Sequence, residues 1–146
     1  VRKSIMQILE PLSGCRVLDL FAGSGILGLE ALSRGADSVV FVENDYHAVK
    51  LLNRNLGKIC NGDGFTIYHS DVYSYVNQCE DTYDIIIADP PYNNSYKYKL
   101  MQEIVQPILE DDGMFCMEME KTPIDGIHSR VKYYGNTQVV FWRYVA

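Results

Sequence analysis

Apolar positions change their period along this chain, and the changes mark its elements. From Ser4 to Leu12, residues Ile5, Ile8, Leu9 and Leu12 recur every three to four positions, as on one face of a helix. Pro11, Ser13 and Gly14 supply its stop. Arg16–Phe21 (RVLDLF) is instead a short apolar run, expected to be a buried strand. A helix is predicted over Gly25–Ser33, closed by Gly35. Ser38–Val42 (SVVFV) carries the β-branched and aromatic residues of a strand. Asp45–Ile59 returns to the helical period, with Ala48, Leu52, Leu56 and Ile59 on one face. A strand Phe65–His69, a short helix Asp71–Gln78, a buried strand Tyr83–Ala88 (YDIIIA), a helix Tyr96–Leu109 and a strand Met114–Met119 follow. Val131–Tyr134 and Gln138–Tyr144 flank Tyr-Gly-Asn-Thr and predict an antiparallel hairpin.

The order is one helix, a strand–helix unit repeated four times, and three closing strands. Such alternation predicts an α/β fold, a mostly parallel sheet with helices on both faces and an antiparallel edge. No linker or repeat interrupts it, so residues 1–146 are expected to form one domain.

Composition narrows the classes. Apolar residues make up 47% of the chain, too many for a disordered segment. No apolar run approaches the roughly 20 residues of a membrane span, and no secretory leader opens the chain, so a cytoplasmic location is expected. Cys15, Cys60, Cys79 and Cys116 fit no CxxC spacing and are expected to be free thiols; the scattered His47, His69 and His128 suggest no metal site. The formal charge is −6, whereas holding phosphates by charge needs clustered Lys and Arg. Gripping naked nucleic acid by charge alone is therefore not expected.

The chemistry-bearing residues lie at strand ends. Gly23, Gly25 and Gly28 form G-x-G-x-x-G at the turn from the first strand into its helix, where glycines let the backbone turn tightly and approach a ligand. Glu43 ends the second strand about 20 residues on, placed to accept hydrogen bonds from ribose hydroxyls. This pattern marks a nucleoside site but does not choose between NAD and S-adenosylmethionine. Asp19, inside the first strand, favours the second: a carboxylate near the cofactor suits a cationic sulfonium better than a pyrophosphate. Asp71, after the third strand, is placed to accept from an adenine amino group or to cap the following helix.

Asp89-Pro90-Pro91-Tyr92 follows the fourth strand and is the most specific signal. Two prolines stiffen the loop and bar it from continuing the strand. The exocyclic amine of a base is a poor nucleophile because its lone pair is delocalised into the ring. Acceptors on both N–H groups localise that pair, and the Asp89 carboxylate and Pro90 carbonyl can be those acceptors. Tyr92 can stack on the base. Asn93, Asn94 and Tyr96 follow as candidate target contacts, whereas Trp142 and the other tyrosines are expected to pack in the core or at sheet edges.

On these residues the chain resembles the class I methyltransferases, and within them the bacterial RsmD-type family that methylates the guanine N2 amine in small-subunit ribosomal RNA. The resemblance rests on VLDLFAGSGILGLEALSRGA (Val17–Ala36), FVEND (Phe41–Asp45), YDIIIADPPY (Tyr83–Tyr92) and YGNTQVVFW (Tyr134–Trp142). It implies a Rossmann-like, seven-stranded sheet with a reversed hairpin at one edge. It implies S-adenosyl-L-methionine as cofactor, held by Asp19, Phe21, Ala22, Gly23, Ser24, Gly25, Glu43, Asn44, Asp71 and Val72. Asp89, Pro90, Pro91 and Tyr92 would face the target guanine. The implied partner is the small ribosomal subunit or its ribosomal RNA, met by a monomer. The family's basic N-terminal extension is expected to be missing ahead of Val1, and its last helix to be reduced to Thr122–Ser129. Three other functions stay open. A DNA adenine-N6 or cytosine-N4 methyltransferase would use the same Asp-Pro-Pro-Tyr chemistry, but the length leaves no room for a DNA-recognition region. A nicotinamide oxidoreductase would fit the glycine loop but lacks a Tyr-x-x-x-Lys pair. A scaffold that binds cofactor without catalysis would have no need of Asp89 and Tyr92.

Overall fold

Strand β1 (Arg16–Leu20) lies near the middle of a sheet and is buried from Val17 to Leu20. The computed structural model describes residues 2–59, 64–91, 97–128 and 130–145. Seven strands stand in the order β3-β2-β1-β4-β5-β7-β6. They are β2 (Ser38–Glu43), β3 (Phe65–His69), β4 (Tyr83–Ala88), β5 (Leu109–Glu120), β6 (Arg130–Tyr134) and β7 (Thr137–Arg143). The first five run parallel, while β7 pairs antiparallel with both β5 and β6. This is the expected class I methyltransferase fold with its reversed hairpin.

Alternation along the strands sorts the core into two layers. Leu18, Leu20, Ile86, Ala88, Phe115, Met117, Val140 and Trp142 face α4 (Val72–Gln78) and α5 (Tyr98–Val105). Val17, Ile85, Ile87, Cys116, Val139 and Phe141 face α1 (Arg2–Leu9), α2 (Ile26–Ser33) and α3 (Tyr46–Ile59). Each central strand is thus apolar on both sides, which explains its unbroken hydrophobic run. Trp142 is 5% exposed and stacks on Phe115 and Tyr98, with ring centroids 5.4 and 6.0 Å away. Tyr83 is buried too, whereas Tyr46 and Tyr133 project to solvent. Among the described residues, no helix is long and apolar enough to cross a membrane.

Several boundaries differ from the sequence reading. Helix α1 ends at Leu9, not Leu12; Pro11 disfavours helix in the residue before it. The helix expected to reach Leu109 stops at Val105, and Gln106–Ile108 tightens into a 3-10 turn around Pro107, which has no N–H for the α-helical ladder. Its expected start at Tyr96 lies outside the described residues. Leu109 instead opens β5, beside Tyr83 of β4. The Asp112-Gly113 pair bends within this strand: Asp112 has φ 66°, its N–H reaches Tyr144 O, and Tyr144 N–H reaches Gly113 O, both at 2.7 Å. No helix forms over 122–128, where Pro123 and Gly126 interrupt any helical ladder. That segment is held by Gln138 Nε2 donating to Thr122 O at 2.9 Å and by Asp125 N–H donating to Tyr98 Oη at 3.0 Å. Ser129 lies outside the described residues.

Candidate cofactor and target site

The sheet changes direction between β1 and β4, and that is where the candidate residues gather. Strand order runs outward from β1 to β2 and β3 on one side and from β4 to β5 on the other. Loops leaving β1 and β4 therefore part at their carboxyl ends and open a crevice, the usual ligand position in such sheets. Leu20 is level with Ala88 and with Val42. The next residues out, Phe21, Asp89 and Glu43, thus emerge side by side. Glu43 is level with His69, which puts Asp71 at the same edge.

The first loop is tied down by its own backbone. Ala22 N–H donates to Val42 O at 3.0 Å and Gly25 N–H to Ala22 O at 2.9 Å. Just ahead of them Phe21 takes φ 58°, a left-handed backbone that non-glycine residues rarely adopt. Ser24 O accepts from Asn55 Nδ2 at 3.1 Å, which fastens the loop to α3.

The three glycines do different jobs. A Cβ on Gly28 would run into the Phe41 ring and sit 3.0 Å from Asp19 Oδ2; one on Gly25 would collide with Leu52. Gly28 is thus required by packing, and Gly25 by packing together with its left-handed φ of 81°. Only Gly23, at φ +58° with open space where a Cβ would be, leaves the backbone bare for a ligand.

Carboxylates organise the amides around this loop. Glu43 Oε1 accepts from Gly23 N–H at 2.7 Å and Oε2 from Asp45 N–H at 2.8 Å. Asp71 caps α4, its Oδ2 accepting from Ser74 N–H at 3.0 Å. Val72, the first residue of that helix, is buried. Asn44 is exposed, and its carbonyl accepts from His69 Nε2 at 3.0 Å. Asp19 is 2% exposed, and its Oδ2 accepts from Gly28 N–H at 3.1 Å. It thereby supplies the acceptor that Gly25, the side-chain-less cap of α2, lacks. Burial pushes the Asp19 carboxyl up to about 8; the Gly28 bond lowers it, and Asp89 and Glu43 raise it further.

On the far side of the crevice, Asp89 is exposed and Pro90 buried. Desolvation raises the Asp89 carboxyl to about 7, assisted by a side-chain hydrogen bond and charge repulsion from Glu118. Glu118 went unnoticed in the sequence. Its only signal is strand register: Ala88 lies beside Met117, so the following residues meet. Tyr92, Asn93, Asn94 and Tyr96 lie outside the described residues.

The donor set suits a cationic nucleoside. Asp89 and Glu43 both act electrostatically on the buried Asp19, and a positive ligand beside this group of acids is favoured whereas a pyrophosphate is repelled. Each Glu43 oxygen also keeps a second lone pair for a hydroxyl donor.

Comparison with known proteins identifies both a family and a fold. The family profile described as "Conserved hypothetical protein 95" matches residues 1–143. The Bacillus subtilis protein YlbH, named for rRNA methylation, is 32% identical over 98% of this chain and 84% of its own length. Escherichia coli "Ribosomal RNA small subunit methyltransferase D" is 34% identical over 81% of this chain, a match spanning 57% of that relative's length. Among solved structures, Escherichia coli YhhF, named as a methyltransferase, superposes with a TM-score of 0.90 at 26% identity, covering 99% of this chain and 84% of that one. SMU.776, named as a methyltransferase and solved with SAH (S-adenosylhomocysteine), shares the fold at a TM-score of 0.78 and 17% identity, over 97% of this chain and 48% of its own. With the sheet order and these matches in agreement, the chain belongs to the conserved hypothetical protein 95 family, the RsmD–YlbH group of S-adenosylmethionine-dependent rRNA methyltransferases.

Proposed function

We propose that this protein transfers a methyl group from S-adenosylmethionine to the exocyclic N2 amine of a guanine in small-subunit ribosomal RNA. The observation that carries this reading is the meeting of the Asp89-Pro90-Pro91 loop with the Gly23 loop at the carboxyl ends of β4 and β1. The name of the Escherichia coli relative supports the ribosomal substrate.

The chain's own residues divide the work. When bound, S-adenosylmethionine supplies a methyl group on a cationic sulfur. Glu43 accepts from ribose hydroxyls, and the Asp71 oxygen not used in capping accepts from the adenine amine. Asp19, Phe21, Ala22, Gly23, Ser24, Gly25, Asn44 and Val72 complete the cofactor cradle. The Asp89 carboxylate and the Pro90 carbonyl accept the two N–H bonds of the target amine and turn its lone pair toward the methyl group. The prolines hold those acceptors still, and such orientation lowers a barrier by several kcal/mol. Tyr92 provides the stacking face for the base. The small ribosomal subunit or its RNA is the partner, met by a monomeric single-domain chain.

Labelled S-adenosylmethionine offered with unmethylated small subunits, naked ribosomal RNA and DNA, followed by nucleoside analysis, tests the reading. Label in N2-methylguanosine is expected, falling about 100-fold or more in Asp89→Ala. Label in N6-methyladenine or N4-methylcytosine would overturn the guanine assignment.

A further inference from the structure

Helix α3 presents a row of cations to solvent in a chain that is acidic overall. Its inward face is apolar, with Leu52 and Leu56 buried in the core. Lys50, Arg54 and Lys58 recur every fourth residue, which sets them in one exposed row on the outward side. Tyr46–Ile59 holds no Asp or Glu, although the chain has 19 acidic residues against 13 basic ones. Like charges four apart on a helix repel, so a face that is only solvated gains by interleaving acids. The helix dipole accounts for Lys58 in the last turn but not for Lys50 or Arg54. Among the described residues, Arg16, Arg34, Lys99 and Arg143 pair with carboxylates, whereas none of the three cations on α3 does. Lys121, Arg130 and Lys132, at the opposite edge of the sheet, also lack an ion pair. Lys121 lies over the Tyr133 ring, however, and Lys132 projects from the other face of β6, so these form no row.

The head of the α3 row carries aromatic rings. Tyr46 is 56% exposed, Lys50 Nζ lies 5.1 Å from its ring centre, and the His47 and His69 rings flank it at 5.7 and 6.3 Å. This cluster follows directly on Glu43 and the end of β2, so the row starts beside the crevice. From Lys50 to Lys58 it then rises about 12 Å away from it. Cations in a row with an exposed ring at one end are what a single strand of nucleic acid needs, charge for its phosphates and a face for a base. We propose that α3 is a docking surface for single-stranded RNA beside the target nucleotide: Lys50, Arg54 and Lys58 each neutralise a phosphate, and Tyr46 stacks on one base. The formal charge of −6 hides this row because it sums the whole chain. The assignment rests on the RNA-methylation reading above.

Fluorescence anisotropy of the whole chain with labelled single-stranded ribosomal RNA fragments, across about 50 to 200 mM salt, tests the surface. Replacing Lys50, Arg54 and Lys58 together by Gln removes three charges and keeps good helix formers. Affinity at the low-salt end should fall about 10-fold or more, and the slope of log affinity against log salt should lessen by about 2. Replacing Lys121, Arg130 and Lys132 by Gln removes the same charge from the far edge and should leave the slope in place. An unchanged slope in the α3 triple, or an equal loss in the far-edge triple, overturns the surface. Wild type that binds neither RNA nor small ribosomal subunits overturns it too. Lys50→Arg with Lys58→Arg keeps the charge and should bind as wild type, and calorimetric SAH affinity should be equal in both Gln triples, so a folding defect does not decide the matter. Tyr46→Ala should weaken single-stranded RNA about 5-fold or more and leave duplex RNA unmoved; no loss on the single strand overturns the stacking role. Methylation of ribosomal RNA with a slope that the α3 triple does not move would remove the docking surface alone. Binding that depends on α3, without methylation of any substrate, would remove the methyl-transfer reading alone.

Discussion

The two banks of the crevice treat their carboxylates in opposite ways. On the β1–β3 bank every acid is tied to backbone amides: Asp19 to Gly28, Glu43 to Gly23 and Asp45, Asp71 to Ser74. On the β4–β5 bank Asp89 meets another carboxyl, Glu118. Amide-bound acids fix the geometry of a loop and hold it ready for a ligand, as binding sites require. A carboxyl beside another is harder to ionise. The site therefore separates a bank whose acids are tied to backbone amides from a bank where two carboxyls stand side by side.

The sharpest way to break this contrast is to remove the one ionisable group buried on the holding bank. Asp19 holds its proton to about pH 8 when folded, against an ordinary value near 3.8. The folded chain thus keeps a proton that the unfolded chain gives up. Its contribution to stability is full below about pH 4 and is lost as pH rises toward 8. Asp19→Asn cannot titrate and keeps an oxygen for Gly28 N–H. Urea unfolding from pH 5 to 9 should show the variant gaining on wild type by roughly 4 kcal/mol across that range. Curves that stay parallel would mean that Asp19 is ionised in the fold.

Packing on the same bank gives the next effect. Gly28→Ala sets a methyl group against the Phe41 ring and near Asp19 Oδ2. A net loss of about 2 kcal/mol is expected in urea, after the gain that alanine brings inside a helix. Gly23→Ala meets no atom and suffers only from its positive φ, about 1 kcal/mol. Equal losses at the two positions would erase the division between packing glycines and ligand-facing glycine.

The sequence announced the holding bank more fully than the transferring one, for physical reasons. Glycine spacing and an acid at a strand end are local patterns, so Gly23, Gly25, Gly28 and Glu43 were readable. The packing roles of Gly25 and Gly28 were not, because they depend on Leu52 and Phe41 from other elements. Asp19 was noticed as an acid inside a strand, but its tie to Gly28 needs the fold. Helix ends at Leu9 and Val105 moved because Pro11 and Pro107 outweigh the apolar period. Strand β5 begins five residues before the expected start at Met114, because Glu110, Asp111 and Asp112 read as loop yet continue the strand past their bend. Glu118 had no local signal at all; register with β4 alone brings it to Asp89.

Asp71 gives the smallest effect and the cleanest separation of two roles on one side chain. One oxygen caps α4 through Ser74 N–H, and the proposal assigns the other to the adenine amine. Asp71→Ala removes both, so about 1 kcal/mol of stability and roughly 5- to 10-fold in SAH affinity should go together. Asp71→Asn keeps a capping oxygen but turns an NH2 group toward the ligand, donor against donor. Its urea midpoint should stay within a few tenths of a kcal/mol of wild type, while calorimetric SAH affinity falls as far as in the alanine variant. Asparagine binding SAH as tightly as wild type would confine Asp71 to its cap and leave the adenine edge to other groups on that bank.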